Sequence, residues 1–220
     1  MRGLYAITPE LPDTNELIGR VRQAIAGGAN VVQYRSKQTA PDIVRTQALA
    51  LRELTGTTGT LFIVNDDSDL ALSVGADGVH IGRDDADVNA ISRIRQEYAN
   101  RPAHNRSKRF MVGVSCYNEM TRAQTAVAAG ADYIAFGSFF PSPTKPQALR
   151  ADAALIRSAK AKFTVPVVAI GGITIDNAHQ LISANVDAVA VISGLFDADD
   201  IEQRAREFTN LFNPENHVHQ

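Results

Sequence analysis

The chain has 220 residues, 45% hydrophobic and 21% charged, an ordinary globular composition that suits one α/β barrel better than two average domains. A formal net charge of -2 excludes a global positive field toward nucleic acid or an anionic membrane, so any phosphate recognition is local. The one cysteine, Cys116, excludes a disulfide framework or a Cys-rich zinc site; with no secretory signal and no apolar run of the ~20 residues a span requires, the expected location is cytoplasmic.

Taken in chain order, β-rich runs alternate with stretches of helical period. Strands are predicted at about Leu4–Thr8, Val31–Arg35, Leu61–Asn65, Gly78–Gly82, Met111–Cys116, Tyr133–Ser138, Val165–Gly172 and Ala188–Ser193. Helices are predicted at Thr14–Ala26, Asp42–Leu54, Asn118–Ala129, Arg150–Lys160, Ile175–Ala184 and Asp199–Leu211. Continuously apolar strands such as Leu61-Phe62-Ile63-Val64 suit a parallel sheet covered on both faces. A turn signature precedes alternate strands: Gly28-Ala29-Asn30, Gly75-Ala76-Asp77, Gly130-Ala131-Asp132 and, with Asn for Gly, Asn185-Val186-Asp187. Gly or Asn there suits a left-handed residue closing the preceding helix. Its recurrence before every second strand points to repeated βαβα units, hence an α/β fold closed as a (β/α)8 TIM barrel, a single domain over residues 1–212. Asn100–Arg109 reads as a polar surface insertion and residues 213–220 as a disordered tail, in which His217 and His219 are weak evidence for a metal.

Barrel enzymes place their chemistry at the carboxyl ends of the strands. Alternation puts Gln33, Arg35 and Lys37 on one face, aimed together into the mouth. Asp66 and the Asp84-Asp85 pair follow adjacent strands, and one carboxylate from each would share a hard cation, Mg2+ rather than zinc; the competing role for Asp66 is to cap the next helix. Gly171-Gly172 and Ser193-Gly194 follow the last two strands, where bare backbone amides commonly hold a phosphate. Two anion sites suggest two phosphorylated substrates, one with a diphosphate leaving group neutralised by Mg2+, Arg35, Lys37 and Lys145. That combination favours electrophilic alkyl transfer over acid–base catalysis, with His80 and Cys116 packing at strand ends.

From Leu4 to about Phe196 the chain resembles the thiamine phosphate synthase (thiamine-phosphate pyrophosphorylase) family. The resemblance rests on Gln33-x-Arg35-x-Lys37, Asn65-Asp66, Gly75-Ala76-Asp77-Gly78-Val79-His80-x-Gly82 and Gly113-Val114-Ser115. It continues in Phe140-Pro141-x-Pro143-Thr144-Lys145-Pro146, Ala169-Ile170-Gly171-Gly172-Ile173-Thr174 and Val191-Ile192-Ser193. The resemblance implies a transferase of thiamine biosynthesis that joins 4-amino-2-methyl-5-hydroxymethylpyrimidine diphosphate to 4-methyl-5-(2-hydroxyethyl)thiazole phosphate. It implies that Gln33, Arg35, Lys37, Asn65, Ser115 and Lys145 hold the pyrimidine diphosphate, with Arg35, Lys37, Ser115 and Lys145 acting in catalysis. It further implies Mg2+ on Asp66 and Asp85, and the thiazole phosphate on Ser142, Thr144, Gly172, Ile192 and Ser193. The expected partners are these small molecules, not nucleic acid or membrane, with homodimerisation left open. The chain departs from the family's usual residues at Asp67, Arg83, Ser138 and Ser142. Thiazole tautomerase relatives share the barrel but have no need of the acidic and basic residues kept here; a non-catalytic sensor of thiazole phosphate is the rival from another class.

Overall fold

A computed structural model of the chain describes residues 1–82, 88–101, 110–141 and 150–213. Eight parallel strands pair in chain order and close on themselves: β1 (Gly3–Ile7), β2 (Val31–Tyr34), β3 (Leu61–Asn65), β4 (Gly78–Ile81), β5 (Met111–Tyr117), β6 (Tyr133–Phe136), β7 (Val167–Ile170) and β8 (Ala188–Val191). The helices that follow them are α1 (Thr14–Ala26), α2 (Pro41–Thr58), α3 (Ser68–Ser73), α4 (Val88–Ala99), α5 (Met120–Ala128), α6 (Ala153–Lys162) and α7 (Ile175–Ile182), with α8 (Ser193–Phe196) and α9 (Ile201–Asn210) after β8. The expected α/β TIM barrel is therefore the fold. None of the described helices is long and apolar enough to cross a membrane.

Helices α3, α4 and α8 are additions to the six expected. Two of them, with 6 and 4 residues, are shorter than the two turns that make a helical period visible. In α4 the buried positions are the compact set Ala90, Ile91 and Ile94, surrounded by charged neighbours that dilute the pattern.

The two-residue period of the strands sorts side chains into two cores. Leu4 and Ala6 of β1 join the layer between barrel and helices, while Tyr5 and Ile7 join the barrel interior with Val31, Ile63, Tyr133, Ala135, Val168, Ala188 and Ala190. Tyr133 fills the space opposite Gly113, where a Cβ would lie 1.9 Å from the phenol ring. Overpacking at a site walled in by strands has little room to relax. Gly113→Ala is therefore expected to cost about 3 kcal/mol of stability, read from urea unfolding; a loss under about 1 kcal/mol would mean that the ring swings aside.

The repeated turn signature has a physical basis. Gly28, Gly75, Gly130 and Asn185 have φ of 102, 69, 95 and 67°, all left-handed, as expected. The acidic residue two positions later accepts a strand amide: Asp77 from Phe62 at 2.9 Å, Asp132 from Val112 at 2.8 Å and Asp187 from Val167 at 2.7 Å. Each also pairs with a helix cation, Arg52, Arg95 and Lys160 respectively. In the first repeat Asn30 instead donates through Nδ2 to the Arg2 carbonyl at 2.7 Å. These contacts bind the amino ends of the strands and leave the carboxyl ends to function.

Candidate active site

The strand period carries Gln33 into the barrel, where it is 3% exposed, and brings the chain out through half-buried Arg35 to exposed Lys37 at the mouth. The loop following β2 is held by Glu10 from the tip of β1. Its carboxylate accepts the amides of Lys37 at 2.8 Å, Gln38 at 3.0 Å and Thr39 at 3.1 Å, and the hydroxyls of Ser36 at 2.9 Å and Thr39 at 2.8 Å. Burial pushes the Glu10 carboxyl up, but these donors outweigh it and bring it down to about 2. The sequence pattern does not single out Glu10, which follows the first strand and lies outside the motifs given above. Its position two residues after Thr8, between Pro9 and Leu11, is the signal that would have found it.

At the end of β3 the backbone of Asp66 turns left-handed, with φ 62°. One carboxylate oxygen accepts from Lys37 Nζ and from Asn65 Nδ2 at 2.7 Å, and the other accepts the Gly82 amide at 2.9 Å. Lys37, Asn65, Asp66 and Gly82 thus converge from the tips of β2, β3 and β4. The competing cap role belongs to the next residue: Asp67 accepts the Leu70 amide at 2.8 Å and opens α3, which gives that departure from the family pattern a local purpose. Asp85, with Asp84 and Arg83, lies outside the described residues, as do Ser142, Thr144, Lys145, His217 and His219. Among the described residues no three His, Cys, Asp or Glu side chains group as a metal site.

Below the mouth, both ring nitrogens of His80 are engaged. Nδ1 lies 3.0 Å from the Tyr133 hydroxyl and Nε2 lies 2.9 Å from Ser115 Oγ, so His80 does more than pack at a strand end. Burial lowers His80 to about 4, against a smaller upward pull from Asp66. The unfolded chain protonates this ring near 6.5 and the folded chain does not until about 4. Between those values only the unfolded state takes up the proton, so stability falls as pH drops through that window, by roughly 3 kcal/mol. Urea midpoints measured from pH 7 to pH 4 are expected to show this dependence and to lose it in His80→Gln; parallel curves would sink the assignment. Burial pushes the Cys116 thiol up to about 12, only partly offset by Arg122, which removes it as a nucleophile near neutral pH. Cys116 packs at a strand end as expected, fully buried, its Sγ 3.5 Å from the Val114 carbonyl oxygen.

The second group of expected residues surrounds the tips of β7 and β8. Gly171 and Gly172 have φ of 106 and 62°, and a Cβ on Gly172 would lie 2.3 Å from the Pro141 carbonyl oxygen and 2.7 Å from that of Phe140. These glycines therefore let the chain after β6 lie directly on the chain after β7, where the Phe140 amide donates to the Gly171 carbonyl at 3.0 Å. Ser193 opens α8, with Ile192 half-buried ahead of it. The amides of Gly171, Gly172, Ser193 and Gly194 donate to no acceptor among the described residues. That leaves four donors at adjoining tips, the arrangement an anion requires.

Comparison with known proteins bears on this geometry. The family model for thiamine monophosphate synthase matches residues 4–195. A thiamine-phosphate synthase of Methylobacillus flagellatus is 48% identical over 213 residues, covering 97% of this chain and 96% of that protein. One of Thiobacillus denitrificans is 49% identical over 210 residues, covering 96% and 94%. A solved structure, thiamine phosphate pyrophosphorylase from Pyrococcus furiosus, superposes with a TM-score of 0.78 at 33% identity, covering 96% of this chain and 95% of that one.

Proposed function

The chain belongs to the thiamine monophosphate synthase family, and on that premise we propose that it condenses 4-amino-2-methyl-5-hydroxymethylpyrimidine diphosphate with 4-methyl-5-(2-hydroxyethyl)thiazole phosphate to give thiamine phosphate and pyrophosphate. The observation that carries this reading is the convergence of Lys37, Asn65 and Asp66 at neighbouring strand tips, across the mouth from the amides of Gly171, Gly172, Ser193 and Gly194, which have no acceptor among the described residues.

The chemistry has two steps. The bond between the exocyclic methylene carbon and the diphosphate oxygen breaks, its electron pair leaving with the oxygen, and the aminopyrimidine ring stabilises the resulting cation. The thiazole nitrogen lone pair then bonds to that carbon. Neither step moves a proton, which agrees with an imidazole kept neutral by burial and a thiol kept protonated. What the site supplies is charge. Arg35 and Lys37 neutralise the departing oxygens, with Lys145 as a third cation, while Gln33, Asn65 and Ser115 orient the pyrimidine diphosphate. Gly172, Ile192 and Ser193, with Ser142 and Thr144, hold the thiazole phosphate.

Asp66 suits a hard cation: it is an oxygen donor at the mouth and already carries a positive group, the Lys37 ammonium, on its carboxylate. Asp66 and Asp85 would hold Mg2+, which when bound supplies further neutralisation of the diphosphate. Working at such a site, the protein acts on small molecules, in the cytoplasm, and as a monomer or a homodimer. Residues 1–212 act as the one catalytic domain.

Mixing both substrates with the purified protein tests the proposal. Pyrophosphate release is expected with Mg2+ and is expected to stop with EDTA. No release with Mg2+ present, or release indifferent to EDTA, contradicts it.

A further inference from the structure

Five side chains from five strands cross the barrel interior beneath the mouth in one line that has no branch among the described residues. Gln33 Nε2 donates to the Tyr5 hydroxyl at 2.7 Å, Tyr5 meets the Tyr133 hydroxyl at 2.9 Å, Tyr133 meets His80 Nδ1 at 3.0 Å, and His80 Nε2 meets Ser115 Oγ at 2.9 Å. Tyr5, Tyr133 and Gln33 are buried, and the His80 and Tyr133 rings stack with centroids 5.6 Å apart.

Each phenol has one proton to give, so the line has a direction, and its end at Gln33 sets it. Because the Gln33 amide gives a hydrogen to Tyr5, the Tyr5 proton passes toward Tyr133 and the Tyr133 proton toward Nδ1. A neutral ring that accepts at Nδ1 carries its hydrogen on Nε2 and gives it to Ser115 Oγ. The hydroxyl proton of Ser115 is then left over for a group in the mouth. Run the other way, the same line would turn the Ser115 proton back onto the ring and leave only lone pairs facing the substrate.

We propose that Gln33, Tyr5 and Tyr133 act through His80 as positioning residues that make Ser115 a one-way hydrogen-bond donor to an acceptor atom of the bound substrate. The inference rests on the reading above that Ser115 holds the pyrimidine diphosphate, a molecule whose diphosphate oxygens only accept. A hydroxyl pointing its lone pairs at those oxygens would repel them. The line is invisible to sequence spacing, since Tyr5 and Tyr133 are 128 residues apart and meet only because the barrel closes.

The test has a structural arm and a kinetic arm. In substrate-free protein labelled with 15N-histidine, the His80 signals, identified by their loss in His80→Gln, are expected to place the hydrogen on Nε2. Tyr133→Phe removes the donor to Nδ1 and is expected to shift the ring toward a mixture of tautomers. Gln33→Glu replaces the amide donor by an acceptor and is expected to move the hydrogen to Nδ1, which keeps the test open should Tyr133→Phe fail to fold. In steady-state assays Tyr133→Phe is expected to lower kcat about tenfold while the KM for the diphosphate substrate stays within about twofold. In a His80→Gln background, where the glutamine amide donates to Ser115 without help from Tyr133, the same change is expected to add no loss. A hydrogen on Nδ1 in the unmodified protein, or an equal kcat loss from Tyr133→Phe in both backgrounds, overturns the proposal. The NMR arm uses no substrate, so failure of the line is distinguishable from failure of the synthase reading.

Discussion

Replacing Asp66 by asparagine is expected to lower kcat/KM for pyrophosphate release by about a thousandfold, close to 4 kcal/mol of transition-state stabilisation. Asparagine keeps the shape of the side chain and an oxygen for the Gly82 amide, which donates to Asp66 at 2.9 Å, so the β3–β4 tips should hold their positions. What it removes is negative charge. Lys37 then lacks the carboxylate that fixes its ammonium at the mouth, and on the proposed reading Mg2+ would lose the hard ligand that Asp66 offers beside Asp85. Both losses fall on the step in which charge develops on the departing diphosphate. The effect should therefore appear mainly in kcat and be partly relieved by raising the Mg2+ concentration. Asp66→Ala is expected to lose far more activity than His80→Ala, because on the proposed reading His80 acts only through Ser115, which it meets at 2.9 Å. A thermal midpoint close to that of the unmodified protein would show that the loss is functional. An activity loss below about tenfold, or His80→Ala proving the worse of the two, would remove the electrostatic account and return acid–base catalysis to consideration.

The barrel was legible in the sequence because its strongest signals are local. Left-handed Gly28, Gly75, Gly130 and Asn185 each close a helix, and the paired Asp77, Asp132 and Asp187 recur at matching places because they tie down matching strands. Period-two alternation likewise separates the interior position of Gln33 from its neighbours in β2, while Lys37 reaches Asp66 from beyond the strand. Features that depend on closure were not legible. Glu10 lies 27 residues from Lys37 and reaches it only across the β1–β2 pairing. The interior line from Gln33 to Ser115 needs β1 and β6 to face each other across the barrel, and Gly113 is informative only once the Tyr133 ring is known to occupy its missing side chain. At Asp66 the sequence offered two roles that composition could not separate; the left-handed backbone turn hands the cap to Asp67 and leaves Asp66 at the mouth.

Gly172→Ala is expected to weaken thiazole phosphate by about a hundredfold while leaving the affinity for the pyrimidine diphosphate within about twofold. The reason for Gly-Gly here is stronger than open access for an anion. At φ 62° an alanine is strained, and its Cβ would sit 2.3 Å from the Pro141 carbonyl oxygen, a backbone atom with no rotamer to escape into. The chain after β6 and the chain after β7 must then separate, moving the amides of Gly171 and Gly172 relative to those of Ser193 and Gly194. Four donors aimed at one phosphate lose more than the sum of small displacements, because such a cup works only when its members point to a common centre. Nothing in that movement touches Lys37, Asn65 or Asp66, which stand at or just beyond the carboxyl ends of β2 and β3. The experiment is substrate-specific KM measurement with each substrate varied against saturating partner. Equal weakening of both substrates would mean that the two anion sites are one continuous structure; no weakening of thiazole phosphate would remove the β7–β8 tips from its binding.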